Sequence, residues 1–228
     1  MKRAVGLVVL LVGAGVYSFA GTVSTFAVSP QETFLYQSSN DVNIGALFIN
    51  LTGCTGSNAP CVDAPAGTAI TITGLGQQCF SGPAATCTEY PAELGGVFDT
   101  NNVLLNSSSL TNGDVDRLTG GLSAAGAIDV DEPQYFSTWY THVDTTIPND
   151  FLIPTMTGIT FIVPVGAQYL VIGGFDSFFG DNSDPLGDLG VLINAQGPLP
   201  EPATLGLMGA GLAGLALLRK SRKTKRVR

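Results

Sequence analysis

Between residue 42 and residue 195 the sequence never sustains a helical period, and its apolar residues come instead in short runs separated by turn formers. "VNIGALFINL" spans Val42 to Leu51, and the alternating "TAITITG" starts at Thr68. "GGVFDTNNVLL" runs from Gly95, "EPQYFSTWYTHV" from Glu132 and "DLGVLINA" from Asp188. Runs of this length that alternate or are rich in β-branched residues are strands. "GITFIVPVGAQYLVIGGFDS" reads as a hairpin-like pair in which Pro164-Val165-Gly166 supplies the turn. Gly21 to Asp41 shows no long period. Gly, Ser, Thr and Asn abound, whereas the strong helix formers Lys and Arg are scarce. The expected fold is therefore all-β, an antiparallel β-sandwich with no repeats.

Charge divides the chain into a middle and two ends. Of the 18 acidic residues, all but Glu201 lie between Gly21 and Leu199, and Arg117 is the single basic residue in that stretch. A domain so anionic repels phosphate backbones, which excludes nucleic-acid binding by it, and it suits divalent cations and a solvated surface. The N-terminus "MKRAVGLVVLLVGAGVYSFA" places Lys2 and Arg3 before an apolar run from Ala4 to Val16 and small residues at Ser18 and Ala20. That order is a secretory signal, with signal peptidase expected to cut after Ala20 and Ala27 as second choice. At the other end Ala203 to Leu218 carries no charge, and seven basic residues follow from Arg219 to Arg228. Such a segment is expected to hold the membrane as a helix with its basic end in the cytoplasm, leaving the middle domain outside. The expected organisation is a signal peptide over 1–20, a secreted domain over 21–197 and a sorting and membrane segment over 198–228.

"PLPEPATLGLMGAGLAGLALLRKSRK" resembles the PEP-CTERM sorting signal of Gram-negative bacteria: Pro200-Glu201-Pro202, an apolar helix over 203–218 and a basic cluster at the terminus over 219–228. The resemblance implies processing near the motif by an exosortase, a membrane protease-transferase. Its members are typically surface or matrix proteins of bacteria that make exopolysaccharide. On that reading Pro200, Glu201 and Pro202 are another enzyme's substrate, and the helix is a temporary hold in the inner membrane.

Four cysteines in an exported chain read as disulfides. Three pairings exist; Cys54 with Cys61 and Cys79 with Cys87 are preferred because each closes a short loop. Neither pair has the spacing of a zinc site, and the only histidine, His142, is distant.

The acidic loop "GGFDSFFGDNSDPLGDLGVLI" carries the clearest chemistry. Hard cations take several oxygen ligands from a loop that curls, and Asp176, Asp181 and Asn182 offer three, with Gly180 between them and Asp184 and Asp188 in reserve. The spacing is not that of an EF-hand. The segment from Val163 onward is similar to the end of galactose-binding-like jelly rolls, including calcium-dependent bacterial lectins. That resemblance implies calcium held by Asp176, Asp181 and Asn182, although here the loop is shorter and "SDPLGD" is inserted before the last strand.

Trp139, Tyr140 and Phe178, with Tyr135, are candidate glycan contacts, although as alternating residues in or near strands they read first as core. "DVDEP" from Asp129 reads as a solvated turn. With no Gly-x-Ser-x-Gly, no second histidine and no phosphate loop, catalysis is not expected. Two functions fit: a calcium-stabilised module that binds exopolysaccharide, or a structural surface protein with no specific ligand.

Overall fold

The computed structural model describes residues 21–35, 45–56, 58–80, 88, 90–91, 94–106, 117–124, 149–174, 180 and 182–196. Those residues lie within the compact unit Gly21–Leu199. Both terminal segments, with the expected signal and membrane helices, fall outside them, as does "EPQYFSTWYTHV".

In chain order the strands are β1 (Thr22–Ala27), β2 (Leu47–Asn50), β3 (Ala69–Leu75), β4 (Gln77–Gln78), β5 (Tyr90–Pro91) and β6 (Leu94–Asp99). They continue with β7 (Gly121–Leu122), β8 (Phe151–Ile153), β9 (Ile159–Ile162), β10 (Tyr169–Gly174) and β11 (Gly190–Gln196). A four-stranded sheet has the order β1-β11-β3-β9, and a five-stranded sheet runs β2-β10-β6-β7 with β8 also on β6. Strands β7 and β8 divide one edge of β6 between them: β7 faces Phe98 and Asp99, and β8 faces Leu94 to Gly96. Every pairing of these strands is antiparallel. The expected all-β sandwich is therefore present.

Because side chains alternate along a strand, each sheet turns one row inward. Ile70 and Ile72 of β3, Val191 and Ile193 of β11 and Phe161 of β9 meet Phe98, Leu170, Ile172 and Ile49 from the other sheet. Three rings form the centre of this layer. Phe151 and Phe161 have centroids 4.3 Å apart, and Phe98 stands 5.6 Å from Phe151 and 6.0 Å from Phe161. Gly96 makes room for them, since a Cβ there would come within 2.6 Å of the Phe151 ring.

The pair β9 and β10 is not a hairpin. Strand β9 pairs with β3, whereas β10 pairs with β2 and β6 in the opposite sheet. The turn closed by Ala167 N–H donating to the Pro164 carbonyl (3.2 Å) carries the chain across the sandwich, with Gly166 at a φ of 94°. Alternation looks the same whether two neighbouring strands pair edge to edge or stack face to face. Stacking puts Phe161 and Leu170 directly into one core. Strand β1 also lies where the sequence shows no long period. Among the described strands it is an edge paired with β11, and its mostly exposed side chains carry little apolar signal.

The five-stranded sheet is covered on its second face as well. Residues 28–35 cross it, and Phe34, Leu35 and Leu118 bury Val97 and Val171. Gly174 N–H donates to the Glu32 carbonyl (2.8 Å), Thr33 Oγ1 donates to the Gly174 carbonyl (3.0 Å) and Arg117 N–H donates to the Phe34 carbonyl (3.1 Å). Gly173 sets the depth of the contact. A Cβ there would lie 2.8 Å from Thr33 Cα and 3.0 Å from Phe34 N, both backbone atoms that cannot swing away. Gly173→Ala is expected to cost about 1–3 kcal/mol of stability, visible as a lower melting temperature by circular dichroism. An unchanged melt would show that the covering segment yields.

Asp99 closes β6 on this covered face. It is fully buried; Asn101 N–H donates to Oδ1 (2.7 Å), and Oδ2 has no hydrogen-bond partner. Burial pushes its carboxyl above the ordinary carboxylate range, opposed by backbone hydrogen bonds from Asn101, Gly120 and Thr100. A carboxyl raised on folding contributes most below its unfolded value, and that contribution is lost as pH climbs through the folded value. Asp99→Asn is therefore expected to be more stable than the natural chain at pH 7, with the gap closing on acidification. Urea melts at both pH values check this, and a gap that widens in acid would reverse the assignment.

Candidate functional site

The loop between β10 and β11 is tied to two other parts of the domain. Ser183 and Cys79 exchange backbone hydrogen bonds, Cys79 N–H to the Ser183 carbonyl (2.9 Å) and Ser183 N–H to the Cys79 carbonyl (3.1 Å). From the covering segment, Gln31 Nε2 donates to the carbonyls of Gly180 (3.0 Å) and Asn182 (3.5 Å). Asn182 Nδ2 returns a bond to the Pro30 carbonyl (3.2 Å). Asn182 is thereby drawn inside, 4% exposed, and its Oδ1 is buried with no hydrogen-bond partner.

The reserve carboxylates do other work. Asp184 Oδ1 accepts from the N–H groups of Gly187 (2.8 Å) and Asp188 (3.3 Å), and Oδ2 accepts from Leu189 N–H (3.0 Å). Asp188 Oδ1 accepts from Gln77 N–H (3.2 Å). Gly76, at a φ of 75°, lets that carboxylate approach, because a Cβ would meet Asp188 Oδ1 at 2.5 Å. Both side chains brace the turn that feeds β11, as short acidic residues do where free backbone N–H groups converge.

Of the sequence-predicted cation ligands, Asn182 is described, whereas Asp176 and Asp181 lie outside the described residues. Among the described residues no three His, Cys, Asp or Glu side chains converge as a metal site would require. The candidate glycan contacts Trp139, Tyr140 and Phe178 also fall outside, as do Ala20, Pro200, Glu201, Pro202 and Cys87. Cys54 and Cys61 form a disulfide with Cα atoms 5.4 Å apart, and Cys79 is disulfide-bonded too.

Two neighbours of Asn182 carried no sequence signal. Gln78 is fully buried with neither amide atom hydrogen-bonded, and Ser183 Oγ is buried in the same condition. Gln78 and Asn182 flank the Cys79–Ser183 bridge to which Ser183 belongs, so three side chains with unanswered polar atoms sit at one backbone contact. A glutamine in "GLGQQCFSG" has no pattern to mark it as interior. The bridge that buries it joins residues a hundred positions apart.

The described geometry holds no nucleophile with a base and no cluster of catalytic carboxylates. It defines an antiparallel β-sandwich with a braced acidic loop. A PEP-CTERM protein-sorting motif matches residues 198–223. That motif indicates exosortase-dependent export and sorting to the cell surface, with exosortase as the processing partner. No curated protein and no solved structure matches the chain.

If Asp184 braces the turn as its bonds indicate, Asp184→Ala lowers stability by about 1–2 kcal/mol, since three backbone donors lose a charged acceptor. Asp184→Asn, which retains one oxygen, recovers part of the loss. Denaturant melts that show no difference would make the carboxylate dispensable.

Proposed function

We propose that the mature domain is a non-catalytic module of the cell surface or extracellular matrix that engages exopolysaccharide, with a calcium ion holding its acidic loop. Delivery is the part the sorting motif indicates. The observation that carries the calcium reading is the buried, unpartnered Oδ1 of Asn182. A hard cation prefers such an oxygen, and leaving it without a partner in the interior is costly. Asp176 and Asp181 are the carboxylates that would join it, and the ion would supply charge neutralisation and a staple between the loop and the rest of the domain.

The strand order supports a jelly roll. The sheet β1-β11-β3-β9 faces one containing β2, β10, β6 and β8, and the chain changes sheet from β1 to β2, from β2 to β3, from β8 to β9, from β9 to β10 and from β10 to β11. Crossings from sheet to sheet build the two nested Greek keys of that architecture.

Thermal melts with calcium and with a chelator test the metal. The expected result is a rise of several degrees with calcium that disappears in Asp181→Ala and in Asn182→Ala. No shift in the natural chain would leave the loop a set of turn braces and favour a purely structural surface protein.

A further inference from the structure

The outward row of the four-stranded sheet is uncharged in a domain that is otherwise strongly acidic. Alternation and register place Val23, Thr25 and Ala27 of β1 outward beside Gly190, Leu192, Asn194 and Gln196 of β11. Next come Ala69, Thr71, Thr73 and Leu75 of β3, then Thr160 and Ile162 of β9. None of these residues is charged and none is aromatic. Across the strands the register aligns Thr25 with Leu192 and Thr73, and aligns Asn194 with Thr71 and Thr160. The Thr71 and Thr160 hydroxyls are 2.8 Å apart and hydrogen-bonded. Hydroxyl, amide and methyl groups are thus set out in rows at the strand spacing of about 4.8 Å.

We propose that this face is the polysaccharide-binding surface and that the polymer it takes is uncharged. The inference rests on the reading of the domain as a polysaccharide module and narrows its ligand class. Electrostatics carries the second half. Seventeen acidic residues lie between Gly21 and Leu199, and the one base there, Arg117, is 5% exposed with its Nε donated to the Leu105 carbonyl (2.7 Å). Arg117 is therefore not presented to a polyanion, and the net negative charge of the stretch repels one. An uncharged, hydroxyl-rich chain meets no such penalty. It finds donors and acceptors on Thr25, Thr71, Thr73, Thr160 and Asn194, with apolar contact from Leu192. The face repeats at the strand spacing, which suits a repetitive ligand held by many weak contacts.

A second copy of the chain fits the face less well. Protein interfaces are anchored by aromatic residues and Arg in pockets, and this face has neither.

The test uses the full chain in a detergent without a sugar headgroup, passed over immobilised uncharged polysaccharides (an α-glucan, a β-glucan and a galactomannan) and over alginate. High ionic strength screens attraction of the basic tail to alginate. Retention on at least one uncharged polymer and not on alginate is expected. Thr73→Asp is expected to weaken retention at least tenfold while the melt stays near that of the natural chain. Thr25→Asp, on the edge strand, serves if the first variant unfolds. Alginate retained as strongly as the uncharged polymers overturns the ligand class. Retention untouched by both substitutions overturns the face and leaves the polysaccharide reading standing, whereas no retention on any polymer overturns both. A change of sedimentation state in the variants, with glycan retention intact, would give the face to a second copy instead.

Discussion

Strands β6 and β10 lie side by side, and from Leu94 to Phe98 and from Leu170 to Gly174 every residue is buried. A sheet with two apolar faces must be covered on both. One cover is the four-stranded sheet, meeting it through Phe98, Phe151 and Phe161; the other is the segment through Phe34 and Leu35. Much else follows from the double cover. Gly173 and Gly96 are required because backbone and rings come too close for a Cβ. Asp99 is trapped beneath the second cover, where a carboxylate is strained by lost hydration.

That same cover reaches the acidic loop. Pro30 and Gln31 bond to Asn182 and Gly180 before the segment continues to Thr33 and Phe34. The loop is therefore coupled to the core through a few residues, and an ion bound there would act on the stability of the whole domain. The outward row of strand residues on the other sheet carries no charge.

The candidate loop was only partly legible beforehand. Asp and Asn density marked the segment 176–188, but density does not assign partners. Asp184 and Asp188 turned out to face backbone N–H groups made available by the turn and by Gly76. Asn182 was marked for its oxygen, and its burial depends on Pro30, a residue far away in the chain. Gln78 was invisible, since nothing local distinguishes a buried glutamine from a surface one.

Taken by itself, the sequence determined the all-β class, through period-2 runs such as "TAITITG", and the sorting address, through the order Pro-Glu-Pro, apolar segment, basic cluster. Both are properties of neighbouring residues, and neighbouring residues suffice to specify them. Tertiary structure decided which strands pair. It stacked β9 and β10 across the sandwich, and it recruited "TVSTFA" as an edge strand on the backbone bonds of β11. It also decided which carboxylates brace turns and which sheet face stays uncharged. Pairing and burial depend on contacts between residues distant in the chain, and alternation along one strand is the same whatever lies opposite it.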